Sequence, residues 1–199
     1  MPQRPFSQAC ENNKQPILEV LAHYLSSPVT LLEIGSGTGQ HGVFFAEHLP
    51  HVTWQTSDLR DNHAAIHAWI EHYAGDNLLP PFELNVANFP TDLAPVQAVF
   101  TANTAHIMSW DQARQMIRGV GLLLPKDGVW IIYGPFNYGG QFTSESNANF
   151  NDWLKAQAPH RAIRDFEAVC DEAKAAGMSL IEDRPMPANN RCLVFHKKA

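Results

Sequence analysis

The run Leu31-Leu32-Glu33-Ile34-Gly35-Ser36-Gly37-Thr38-Gly39-Gln40 constrains this chain more than any other segment. A short apolar strand that empties into alternating glycines must turn sharply, because glycine enters left-handed backbone at little cost. The segment therefore reads as strand, turn and helix, the helix running over 40–49. The same alternation continues downstream: strands are expected at 52–57, 82–86, 96–101 and 129–133, and helices at 61–73 (capped by Asp61) and 109–119. Ser109 and Gln112 stand three apart, as in a capping box. Upstream, Ile17, Leu18, Leu21 and Leu25 form a helical stripe with Pro16 in its first turn, preceded by an irregular arm over 1–15. Residues 134–150 are rich in Gly, Asn and Ser and read as a long functional loop. Helices at 151–157 and 165–176 follow, the second stopped by Gly177. An antiparallel pair at 179–182 and 192–196 closes the chain. Such alternation predicts one α/β domain over 1–199, with a seven-stranded, mainly parallel sheet, helices on both faces and an antiparallel C-terminal strand pair.

Composition narrows the function classes. Charged residues make up only 17%, with 5 Trp and 11 Phe, which suits a packed core and not a disordered chain. No apolar run approaches the ~20 residues that cross a bilayer, and the polar N-terminus has no secretory apolar segment. Cys10, Cys170 and Cys192 are odd in number and far apart, so a disulfide framework is not expected and a reducing cytoplasm is. Between residues 15 and 113 the one basic side chain, Arg60, faces ten acids. Duplex nucleic acid needs a concentrated basic face, so neither nucleic acid nor membrane is an expected partner. A neutral or cationic small molecule is favoured, and a homodimer stays open. His63 and His67 share a helix face but lack a third ligand at diagnostic spacing, so no metal site is expected.

Glycines at the turn let a ligand approach the backbone, and Asp58 ends the next strand, where a carboxylate can accept both hydroxyl protons of a ribose. A dinucleotide fingerprint has glycine or alanine at the sixth position from Gly35, where this chain has Gln40. It has Gly39 at the fifth position instead, and Glu33 two residues before the first glycine. A carboxylate there is a poor neighbour for pyrophosphate and a good one for an amino-acid ammonium. An NAD(P)-dependent oxidoreductase is therefore the weaker alternative, and its catalytic Tyr-x-x-x-Lys pair is missing.

These residues resemble the first motif of class I S-adenosylmethionine-dependent methyltransferases, E/D-x-G-x-G-x-G, at Glu33, Gly35, Gly37 and Gly39. The resemblance implies a Rossmann-like methyltransferase fold with S-adenosylmethionine as cofactor and S-adenosylhomocysteine as product. It implies that Asp58 with Leu59 holds ribose and that Asn85 and Val86 flank adenine. Ser36 and Asn103 would shape the methionine end. Asn13 and Lys14 read either as a lid folded over the cofactor or as a solvated helix entrance. A closer resemblance is to the methyltransferase-like 26 family and its bacterial relatives. Asn13-Lys14-Gln15-Pro16-Ile17-Leu18, Asn103-Thr104-Ala105-His106-Ile107, Tyr133-Gly134-Pro135-Phe136, Ser144-Glu145-Ser146-Asn147 and Ile163-Arg164-Asp165-Phe166-Glu167 carry it.

Methyl transfer from a sulfonium is an in-line displacement that needs positioning more than a fixed triad. Side chains after the fourth and fifth strands are the candidates: His106, Tyr133 and Tyr138 as catalytic groups, and Asn137, Ser144 and Asn147 as substrate contacts. His106 reads either as a general base near neutral pH or as a histidine hydrogen-bonded beneath a loop. The expected function is a methyltransferase acting on a small molecule. A non-catalytic protein that keeps the cofactor site as a scaffold or sensor is the alternative.

Overall fold

The computed structural model describes residues 4–90 and 92–198; residues 1–3 of the expected N-terminal arm lie outside the described residues. The chain order is α1 (Gln8–Tyr24), β1 (Val29–Ile34), α2 (Gln40–His48), β2 (Val52–Asp58), α3 (His63–Ile70), β3 (Leu78–Glu83), β4 (Ala98–Ala102), α4 (Trp110–Leu123), β5 (Val129–Gly134), β6 (Phe136–Asn137), α5 (Glu145–Gln157), β7 (Arg164–Asp165), α6 (Phe166–Ala175), β8 (Met178–Met186) and β9 (Asn190–Lys197). Seven strands form one sheet in the order β3-β2-β1-β4-β5-β9-β8. The first five run parallel, and β9 lies antiparallel between β5 and β8. β6 and β7 pair separately.

Alternation along the strands divides the core into two layers. Leu31, Trp54, Phe100, Ile131 and Val194 pack with Ile17, Leu21 and Phe45 of α1 and α2. Their neighbours Leu32, Val99, Trp130, Ile132 and Phe195 pack with Met116 and Val120 of α4 and Val169 of α6. The strand order reverses between β1 and β4, and the crevice above that reversal is where such sheets take ligands.

Four element boundaries correct the sequence reading. The N-terminal arm is mostly helix: Ser7 caps α1 by accepting from the Cys10 amide, and Pro16 sits inside the helix. There it denies the Asn12 carbonyl its usual donor, a loss offset by the burial of Ile17, Leu18, Val20 and Leu21. β3 starts earlier than expected and contains Pro80 and Pro81, which an edge strand tolerates because it pairs on one side alone. Asp61 caps no helix; the residue before α3 is Asn62, without a side-chain cap bond. The 134–150 segment is not one loop, for α5 begins at Glu145 where Ser144 Oγ accepts the Asn147 amide. The capping box at Ser109 and Gln112 is present, and α4 passes Gly119, whose missing Cβ makes room for the Phe89 ring.

Candidate functional site

A cavity of about 540 Å³ opens above the carboxyl ends of β1, β2 and β4. Its floor is the glycine turn from Gly35 to Thr38. Asp58, Leu59 and Asn62 wall the β2 side, and Leu84, Asn85 and Val86 follow β3. Ala102, Asn103, Thr104, Ile107, Met108 and Gln112 follow β4. Ser7, Ala9 and Cys10 reach over from α1, His41 stands on α2, and His160 and Arg161 complete the wall.

The turn owes its shape to glycine. Gly35, Gly37 and Gly39 all have positive φ, at 77°, 57° and 88°. A Cβ on Gly37 would meet nothing within 4 Å and would project into open space, whereas one on Gly39 would come 2.9 Å from the Ile66 Cα. Gly37 thus keeps the floor clear, and Gly39 lets α3 approach. The amides of Gly35 and Ser36 both donate to the Ser57 carbonyl, and the Gly39 amide donates to the Ser36 carbonyl.

Asp58 is already committed to this architecture. Its Oδ2 accepts the Gly37 amide at 2.7 Å, and its Oδ1 accepts the Leu59 amide at 2.7 Å and Asn62 Nδ2 at 2.8 Å. A carboxylate offers about four acceptor positions, so these three donors leave roughly one, on Oδ2. That is one acceptor position fewer than the two protons of a ribose in the sequence expectation require.

Glu33 lies under the turn and outside the cavity wall. It is 2% exposed, and its Oε2 accepts Ser36 Oγ and Trp54 Nε1, each at 2.9 Å. Burial raises its carboxyl from 4.5 to about 7, against those two hydrogen bonds. Gln40, which sequence reasoning used to disfavour a dinucleotide, joins α1 to the turn. Its Oε1 accepts the Ser7 amide at 2.6 Å, and its Nε2 donates to Glu11 Oε1 at 3.1 Å.

Of the expected cofactor residues, Gly35, Ser36, Gly37, Asp58, Leu59, Asn85, Val86 and Asn103 line the cavity; Asn13, Lys14, Glu33 and Gly39 do not. Asn13 is buried, and its Oδ1 accepts a hydrogen bond from His41 Nε2 at 2.7 Å. Lys14 pairs with Glu11 at 2.6 Å and covers the Phe44 ring. Asn103 adopts φ 52°, a left-handed conformation that a non-glycine residue seldom takes and that marks constrained sites.

The expected catalytic and substrate residues do not line the cavity. His106 is buried against Phe150, 5.3 Å between ring centroids, and desolvation, then Arg164 and Arg161, lower it to about 4. It is neutral at physiological pH, and its own titration falls near 4, not at the pH 6–7 of the general-base expectation. Its Nδ1 and Asn103 Oδ1 both lie within 4 Å of where a Cβ on Gly134 would stand. Tyr133 is 3% exposed, and desolvation pushes its hydroxyl up to about 12. Tyr138 stacks on Phe166 and donates to Asp183 Oδ2 at 2.9 Å, which leaves it far from proton exchange at neutral pH. Asn137 is buried with Oδ1 unpartnered. Ser144 is spent as a helix cap, and Asn147 Nδ2 bonds Thr143 Oγ1 and the Asn189 carbonyl.

His41, Cys10, Gln112 and Arg161 line the cavity without having been singled out as site residues. Burial lowers His41 to about 4 and pushes the Cys10 thiol up, so both are neutral walls. The start of α1 at Ser7 was hidden by Pro16, and the approach of Arg161 depends on contacts made far along the chain. No group of three or more His, Cys, Asp or Glu that could hold a metal occurs among the described residues.

The seven-stranded sheet with its antiparallel C-terminal pair is a fold shared with solved methyltransferase structures. The chain belongs to a family described as protein of unknown function (DUF938), matched over residues 4–197. It is similar in structure to an O-methyltransferase family protein from Burkholderia thailandensis, with TM-score 0.81 and 17% identity over 94% of this chain and 56% of that one. An O-methyltransferase family 2 protein from Planctomyces limnophilus, in complex with apigenin, gives TM-score 0.84 and 15% identity over 95% and 57%. PigF with SAH gives 0.76 and 14% over 92% and 55%. This chain therefore spans little more than half the length of these structures. No helix among the described residues is long and apolar enough to cross a membrane.

Proposed function

We propose that the protein is an S-adenosylmethionine-dependent methyltransferase acting on a small molecule in the cytoplasm, without nucleic-acid or membrane partners. The observation that carries this reading is the convergence of one free Asp58 acceptor, the open floor at Gly37 and the Asn85–Val86 wall on one cavity at the sheet's reversal. Kinship with the methyltransferase-like 26 family belongs to the same proposal, carried by Asn103-Thr104-Ala105-His106 and Tyr133-Gly134-Pro135-Phe136.

The residues present fit the cofactor. Asp58 Oδ2 accepts one ribose hydroxyl, and Val86 with Leu84 supplies an apolar surface for a purine. Thr38 lines the floor, and its amide has no acceptor among the described residues. S-adenosylmethionine, when bound, supplies a sulfonium methyl group for in-line displacement. The chain's task is then to orient the acceptor and exclude water, to which Ser7, Ala9 and Cys10 contribute by covering the cavity from α1.

S-adenosylhomocysteine is expected to bind in the micromolar range by calorimetry, and NAD not at all. Tighter binding of NAD would reverse the assignment. The second reading is a non-catalytic scaffold or sensor that keeps the cofactor site, since methyl transfer demands no fixed base whose presence would tell the two apart. Transfer of labelled methyl from S-adenosylmethionine to a metabolite extract decides between them.

A further inference from the structure

The end of the cavity beyond β4 is chemically unlike the end at β2. Asp58 is the one acidic side chain on the wall, and β1 separates its strand from β4. Across that gap the wall is formed by the 158–163 segment, which carries Arg161. None of the Arg161 side-chain N–H groups has an acceptor among the described residues, and its Nε is closed off from solvent as well. Arginine keeps its charge at any physiological pH, so this guanidinium is left without a counter-charge at the wall of a ligand cavity.

Its position is built, not incidental. The neighbouring Arg164 is buried and spends its own guanidinium on backbone: Nε donates to the Ala105 carbonyl at 3.1 Å, and Nη2 donates to the carbonyls of Met108 and, at 3.1 Å, His160. The Ala162 amide donates to the His106 carbonyl at 3.1 Å, the Ile163 amide to Asn151 Oδ1 at 3.0 Å and the Arg161 amide to the Ala158 carbonyl at 3.0 Å. These bonds fix the segment onto the loop that follows β4. One arginine acts as a staple, and the other is held at the cavity with its donors unused.

We propose that Arg161 recognises a carboxylate on the methyl acceptor, so that the substrate is a small organic acid with an apolar body. This rests on the methyltransferase reading above. A planar guanidinium matches a carboxylate through two parallel N–H···O bonds. Ala102, Ile107 and Met108 on the same side of the cavity supply the surface for an apolar body. The acid group so held is the anchor, because pairing with a cation lowers its nucleophilicity; the methyl-accepting atom is a second group on the same molecule. The net negative charge of the N-terminal half favoured a neutral or cationic ligand. The local wall reverses that preference, because a contact charge acts at hydrogen-bond range while distant exposed acids are screened within about 8–10 Å.

The test uses benzoate and its uncharged counterpart benzamide as probes, titrated into protein saturated with S-adenosylhomocysteine and followed by NMR. Benzoate is expected to bind at least tenfold more tightly than benzamide. Arg161→Gln, which leaves every backbone bond of the segment in place, is expected to abolish that preference while S-adenosylhomocysteine affinity stays within threefold. Equal binding of the two probes, or a preference that survives in Arg161→Gln, overturns the proposal. A tenfold loss of S-adenosylhomocysteine affinity in that variant also overturns it, by assigning the guanidinium to the cofactor. Failure of the parent protein to bind S-adenosylhomocysteine at all instead defeats the underlying methyltransferase reading.

Discussion

The two ends of the cavity differ in how their polar groups are used. At the glycine turn, Asp58 holds three donors, Glu33 holds two, and Gln40 ties the turn to α1, all within the protein. At the β4 end, the Arg161 side chain finds no acceptor among the described residues, and its Nε is buried. The first end is a cradle whose shape is set before a ligand enters, which spares ordering cost on binding. The second end has unspent hydrogen-bonding capacity, which is where discrimination between ligands arises, because leaving such groups unpaired is costly. A common part and a variable part of the ligand are thereby assigned to different ends of one cavity.

Paired substitutions within the turn give the largest effect and the sharpest test of that division. Gly39→Ala places a methyl group 2.9 Å from the Ile66 backbone at a φ of 88°, and is expected to destabilise the fold by about 3 kcal/mol in urea titrations. Gly37→Ala meets nothing, so it should cost only about 1 kcal/mol of stability through its φ of 57°. It should nonetheless weaken S-adenosylhomocysteine binding at least tenfold by filling the floor. Equal stability losses in the two variants would break the distinction between packing glycine and ligand glycine.

A pH-dependent effect of similar or smaller size is expected beneath the turn. The Glu33 carboxyl is raised from 4.5 to about 7, so the folded state binds its proton more tightly than the unfolded state does. Ionisation therefore costs nothing below pH 4.5, progressively more up to about 7, and its full amount above that. At 1.36 kcal/mol per unit, Glu33→Gln should stabilise the ligand-free protein by up to about 3 kcal/mol at pH 8 and by almost nothing at pH 4. Unfolding curves at the two pH values check it; a variant destabilised at both would show that the charge itself is needed by Trp54 and Ser36.

The smallest effect belongs to the far side of β5. Tyr138→Phe removes one hydrogen bond to Asp183 and should cost about 1 kcal/mol of stability. Methyl-transfer turnover should not change. A tenfold loss of turnover at unchanged stability would return Tyr138 to the reacting centre.

These same two regions mark what was legible in the sequence. The strand, the glycine spacing and Asp58 lie within thirty residues and are fixed by local backbone rules, so the β1–β2 side of the cavity could be read directly. The 134–150 region could not, because partners distant in sequence decide it. Tyr138 is captured by Asp183, 45 residues on, and Asn147 by the Asn189 carbonyl, 42 residues on. Arg161 reaches the cavity only because Arg164 is stapled to carbonyls 56 and 59 residues earlier. The part of the N-terminal helix ahead of Pro16 was missed for a different reason. Pro16 argues against a helix interior, and only the burial of the following apolar face outweighs it.

The prolines of β3 have a consequence for life in a crowded solution. One margin of the sheet presents Pro80 and Pro81, which offer no N–H to an incoming chain. The opposite margin, β8, carries a bulge between Leu180 and Glu182, then Glu182, Asp183, Arg184 and Pro185. Neither border is a ready template for edge-to-edge growth, so a domain with seven strands is guarded on both sides against fibrillar self-association.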